Sequence, residues 1–177
     1  MSIKSRLGLF NIISVIMVLL MGGMLAYAEA SLTKLYARSK IVADSLRHQG
    51  EADMIHDGLR GDVLFAIKLA REGSYARKSE AVKATRDNIE TFRQLIADVG
   101  KMDVSPRVQA ALKELKEPLE RYTNNADRIT QAAFDNPTGI EAMYAAFESD
   151  FEFLEKALAK FADVIQSEFE QLDQLAR

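Results

Sequence analysis

Asp53, His56, Asp57 and Arg60 lie close together, separated by steps of three and four residues. On a helix turning 100° per residue, such steps place all four in one sector. Arg60 offers a planar fork that donates two parallel hydrogen bonds to a carboxylate or a similar anion. His56 adds a donor, or a pH response, because an unperturbed imidazole titrates near 6.5. Ala52, Ile55, Leu59, Val63, Ala66 and Ala70 occupy the adjacent sector and are the expected core, with His56 at the border and Arg60 further out. Gly58 and Gly61 lie on another side, where missing side chains permit close approach by a neighbouring helix. Each glycine costs a helix about 1 kcal/mol relative to alanine. Their position beside His, Asp and Arg suggests a pocket at a helix–helix or dimer interface.

A plainer reading uses the same residues. Asp57 with Arg60, or Asp53 with His56 or Asp57 with Arg60 across a dimer, would form ion pairs that set register. Metal binding is disfavoured. Asp53, His56 and Asp57 offer three ligands, but the Arg60 cation opposes a second cation, and His48 lies two helical turns from His56. Neither metal nor cofactor is expected. Arg71 and Arg77 are expected as solvated surface charges.

Catalytic signatures are missing. The sequence has no glycine-rich phosphate loop, no H-E-x-x-H and no nucleophile elbow. It has no cysteine, which excludes disulfides, thiol catalysis and cysteine-ligated zinc or haem. The formal net charge is −3; setting aside Lys4 and Arg6 leaves −5 for the rest, which does not favour nucleic acid. The expectation is a non-enzyme.

The elements that carry this cluster follow from hydropathy. Residues 7–28, LGLFNIISVIMVLLMGGMLAYA, hold no charge. As a helix they span about 33 Å, enough for the hydrocarbon core of a bilayer. Lys4 and Arg6 precede the run and Glu29 follows it, which favours a cytoplasmic N-terminus (residues 1–6) and an exported remainder. Ala26-Tyr27-Ala28 also fits a cleavable signal peptide, but the run exceeds a usual signal core, which favours an uncleaved anchor. Either way, residues 29–177 are exported.

Low proline and glycine content, and no alternating β-branched run after the anchor, make the rest all-α. The first helix should continue from the membrane to about residue 72 and stop at Gly73-Ser74. A second, from about 79 to 99, carries a stripe of Val82, Thr85, Ile89, Phe92, Ile96 and Val99, ended by Gly100. Ser105-Pro106 reads as a cap and first turn for a third, whose stripe runs from Val108 to Ala133 and whose Pro118 should bend it. Asn136-Pro137 closes it. Thr138 with Glu141 reads as a capping box for a fourth, striped from Phe151 to Leu175 and interrupted at Glu168. Long, short, short, long predicts an antiparallel up-down four-helix bundle with long first and last helices. The last helix stops in mid-pattern at Arg177, which suggests a fragment cut before a second membrane span.

The opening MSIKSRLGLFNIISVIMVLL and the segment MIHDGLRGDVLFAI (residues 54–67), set in this architecture, resemble the four-helix-bundle sensory domain of bacterial methyl-accepting chemotaxis proteins. The resemblance implies an inner-membrane receptor with residues 29–177 periplasmic. It also implies a homodimer paired through the first helix, a small-molecule ligand, and cytoplasmic signalling partners reached only through a missing C-terminal part. In the aspartate-type members, first-helix arginines grip the ligand; here Arg60 matches best, with Arg71 and Arg77 as lesser alternatives, and the fourth-helix ligand contacts find no match. Sensor histidine kinases and diguanylate cyclases carry similar input domains. The reading from another class is an exported bundle that only dimerises or docks a partner.

Overall fold

A computed structural model describes residues 3–136 and 139–176, and every regular element among them is helical. Helix α1 (Ile3–Arg71) has 69 residues, a rod of roughly 100 Å. Its two halves meet different surroundings. Phe10, Val18, Leu20 and Leu25 are exposed and, among the described residues, pack on no other element, whereas from Val42 onward one face is buried. Exposed apolar side chains on a helix that satisfies its own backbone suit hydrocarbon rather than water. Even Ser14 turns its hydroxyl inward, donating to the Phe10 carbonyl at 2.9 Å. By length and composition this part of α1 is able to cross a membrane.

The helix stops where the glycine predicts. Gly73 takes φ +71°, the left-handed conformation that costs other residues most. Its N–H then donates to Ala70 and that of Ser74 to Leu69, capping the free carbonyls of the last turn. A 3-10 turn (Tyr75–Arg77) not anticipated from sequence leads into α2 (Lys78–Lys101). Gly100 does not end α2; it lies inside the helix, and the chain turns extended at Met102. Val99 is fully buried, and the Met102 N–H donates to the Val99 carbonyl. Packing there outweighs the weak helix preference of one glycine.

Helix α3 (Pro106–Asp135) begins as expected: the Ser105 hydroxyl accepts from the Val108 N–H at 3.2 Å, with proline in the first turn. Pro118 lies within it and is buried. Helix α4 (Ile140–Ala176) carries Glu141 in its first turn, where the positive end of the helix dipole favours it. The capping partner expected at Thr138 lies outside the described residues, as does Pro137.

Ion pairs and hydrogen bonds between helices record how they pass one another. Lys78, Arg86 and Arg93 of α2 meet Asp135, Asp127 and Glu120 of α3 in descending order. Ser105, which caps α3, and Glu114 and Arg121 within it meet Glu168, Lys160 and Asp150 of α4 in the same way. Arg71 and Arg60 of α1 meet Glu141 and Glu148. Between them lies one core, in which Leu59, Phe92, Tyr122, Phe147, Leu154 and Phe161 are all but fully buried. Each large apolar side chain so buried contributes about 1.5–3 kcal/mol. The expected stripes supply most of this core, except that Ala81 is buried in place of Val82 and Leu175 is exposed. The buried hydroxyls stay satisfied: Thr85 donates to the Ala81 carbonyl and lies 3.3 Å from Thr130.

Candidate functional site

The cluster on α1 divides into three environments. His56 and Arg60 are one helical turn apart on the same side, and α4 inserts Phe151 between them. The His56 ring stacks on Phe151 at 4.1 Å and 11°, and the Arg60 guanidinium carbon lies 4.7 Å from the same ring. Asp53 and Asp57 are exposed and make no ion pair with either. The ion pair expected between Asp57 and Arg60 is therefore replaced by one that joins two helices.

Arg60 spends its fork on Glu148 of α4. Nε donates to Oε1 at 2.9 Å and Nη2 to Oε2 at 2.7 Å. This bidentate bond holds the Glu148 carboxyl below the usual carboxylate range, with Tyr144 assisting as a second donor, and raises the guanidinium further above neutrality. Both side chains keep partial access to water, at 40% and 28%. Anion recognition by Arg60 thus has a carboxylate already in place.

His56 sits deeper than its border position predicts, with 1% of its surface exposed. Tyr122 of α3 meets it edge-on at 4.9 Å, and Phe92 of α2 closes a further side at 6.4 Å. Tyr122 in turn stacks on Phe147 and donates its hydroxyl to the His56 backbone carbonyl at 2.7 Å. Burial pushes the Tyr122 phenol far up, so it remains a donor throughout the physiological range. Among the described residues, nothing hydrogen-bonds His56 Nε2, although that atom is buried. Desolvation lowers the imidazole pKa below 6.5, against smaller opposing pulls from Asp57, then Asp53 and Glu155, and from the Phe151 backbone carbonyl. His56 is a neutral ring in an aromatic box.

Gly58 and Gly61 face away from all this. Apart from the local helix backbone, no described atom lies within 4 Å of where a Cβ would stand on either, or on Gly50. Among the described residues, no helix uses the space they leave. Met54, Leu64 and Phe65 are exposed along α1 as well, at 68%, 44% and 37%. The other sequence candidates are surface charges: Arg71 pairs with Glu141, and Arg77 pairs with Glu80 while lying over Phe65. His48 holds the Asp44 carbonyl through Nδ1 at 2.8 Å, far from His56. Among the described residues, no group of three His, Asp or Glu side chains is placed to hold a metal ion.

Glu148, Tyr144 and Phe151 complete the arrangement, and their sequence neighbourhood does not single them out. Glu148 lies 88 residues from Arg60 and resembles every other α4 carboxylate. Only the register of α1 against α4 selects it. Two grooves lie elsewhere. One of about 530 Å³ runs between α2 and α3 past Arg86, Arg93 and Asn124, and one of about 490 Å³ lies beside Arg38, Ser105 and Glu168. Compared with protein-family models and with curated proteins, the chain matches none.

Proposed function

We propose that the chain is the membrane anchor and sensory domain of a bacterial transmembrane chemoreceptor. In this reading residues 7–28 cross the inner membrane and residues 29–177 form a periplasmic, antiparallel up-down four-helix bundle. It works as a homodimer, and it reports a small molecule such as an organic anion. The observation that carries the reading is the continuity of α1. One unbroken helix runs from an exposed apolar segment into the bundle core, so a shift of the bundle is delivered directly to the membrane.

Two further features support it. The open face of Gly50, Gly58 and Gly61 with Met54, Leu64 and Phe65 suits close packing against a second α1. The Arg60–Glu148 pair suggests how binding would do work. A ligand carboxylate that takes the Arg60 fork displaces Glu148 and weakens the hold of α4 on α1. The ligand's preference for the displaced state is then what shifts the equilibrium.

The alternative, a bundle that only dimerises or docks a partner, draws on the same pair: Arg60 is already satisfied and His56 is buried. Input domains of histidine kinases and diguanylate cyclases would use the same mechanics. The test is a thermal-shift screen of the full chain in detergent against organic acids, amino acids, nitrogenous bases and divalent metals, repeated on Arg60→Ala. A stabilising anion whose effect disappears in Arg60→Ala is the expected result. A stabilising compound indifferent to the substitution moves the pocket elsewhere, and no hit at all favours the partner-binding reading.

A further inference from the structure

The aromatic box holds an ionisable group that anion sensing does not use. We propose that His56 is an acid-operated release for the α1–α4 seam: taking up a proton drives its ring out of the stack with Phe151 and Tyr122 and loosens α4 from α1. The stimulus is the proton itself, so this goes beyond ligand binding and does not depend on it.

Four helices surround the ring. On α1, Asp53, Asp57 and Arg60 lie one turn or less away; α2 contributes the apolar Phe92; α3 contributes Tyr122; and α4 contributes Phe151 between Glu148 and Glu155. A neutral imidazole fits this box with one unpaired nitrogen. An imidazolium does not, because it carries two N–H donors and a charge that burial leaves without solvent. The Phe151 backbone carbonyl serves one ring nitrogen, but Nε2 has no partner, and none of the side-chain acceptors meets the ring where it lies. Tyr122 already spends its hydroxyl on the His56 carbonyl, Glu148 is held by Arg60, and Asp53, Asp57 and Glu155 are exposed. The nearest relief is outward, toward Asp53 and Asp57, which requires the ring to leave Phe151.

The direction with pH follows. The ring binds a proton more weakly in the closed box than in the open chain, whose imidazole titrates near 6.5. The seam is therefore fully held above pH 6.5. As pH falls below 6.5 the closing equilibrium weakens by up to tenfold per unit, until the closed form itself protonates. Arg60–Glu148 remains paired in this range, since it loosens only below the ordinary carboxylate pKa.

The test uses the full chain in detergent micelles with His48→Gln, which leaves His56 as the sole imidazole. Its ring carbon-bound protons are followed by NMR from pH 8 to 4.5. Amide protection in residues 55–62 and 147–155 is measured alongside and corrected for intrinsic exchange. We expect the ring to titrate below 6.5, with protection in both segments falling up to tenfold per pH unit in step with it. A ring that titrates at 6.5 or above, or protection unchanged down to pH 4.5, overturns the proposal. In His56→Phe, which keeps a stacked ring without a titrating group, protection should become independent of pH between 6.5 and 4.5. A wild-type pH dependence in that variant also overturns it. Should His56→Phe fail to fold, the His48→Gln measurement decides alone. No ligand is present in either assay, so an empty ligand screen and a failed acid response are separate outcomes.

Discussion

Replacing Arg60 and Glu148 singly and together measures how far one pair ties α1 to α4. The bond is bidentate, at 2.9 and 2.7 Å, but the side chains retain 40% and 28% of their exposure. Screening by water places the pair near the top of the range for exposed ion pairs, about 1 kcal/mol. Arg60 also covers the Phe151 ring, a cation–π contact of about 0.5–1 kcal/mol at a partly exposed site. Arg60→Ala removes both and should cost about 1.5–2 kcal/mol, against about 1 kcal/mol for Glu148→Ala. The double variant should cost little more than Arg60→Ala, leaving a coupling of about 0.5–1 kcal/mol. For a chain of this size the Arg60→Ala loss is a drop of roughly 3–7 °C in Tm. Thermal and urea unfolding in detergent, followed by circular dichroism, give all three values. Costs that simply add would mean that the pair does not hold the seam, and the displacement mechanism for an anionic ligand would lose its basis.

Tyr122→Phe removes one buried donor to the His56 carbonyl and keeps the aromatic packing, so it should lower stability by about 1 kcal/mol; an unchanged urea midpoint contradicts this. Glu148 has a native pKa below its unfolded value, so its contribution is complete above about pH 4.5 and is lost as pH falls through the lower native value. Stability measured from pH 6 to 3 should therefore converge on that of Glu148→Gln, and parallel curves count against the pair. Because the chain has no cysteine, Gly61→Cys provides a single thiol on the open face of α1. Oxidation in membranes should cross-link two copies, whereas Lys83→Cys on the exposed side of α2 should not; the reverse pattern rejects pairing through α1.

Local signals and long-range register were unequally legible from sequence. The Gly73 stop and the Ser105 cap are governed by neighbours within five residues, and both appear where the sequence puts them. The all-α class follows from low proline and glycine content and the lack of alternating β-branched runs, and stripes at three and four residues supply most of the core. Gly100 misleads because a weak local preference competes with burial of Val99, which is a tertiary effect. The helical angle of His56 puts it at the edge of the core, yet α4 wraps that edge with Phe151 and takes it inside. A helical wheel describes one helix and carries no account of its neighbour's side chains. Glu148 is the sharpest case, since no spacing in the sequence distinguishes it from the other carboxylates of α4.

The measurement closest to the central claim is thiol accessibility in intact bacterial cells, using a membrane-impermeant maleimide on two single-cysteine variants. Ser79→Cys lies on an exposed part of α2 beside the turn after α1, and Ser14→Cys lies within the apolar part of α1. A membrane-tethered exported sensor predicts that Ser79→Cys is labelled from outside without permeabilisation. It also predicts that Ser14→Cys stays unlabelled before and after, because a thiolate does not form in hydrocarbon. Labelling of Ser79→Cys only after permeabilisation, or free labelling of Ser14→Cys, would contradict the account.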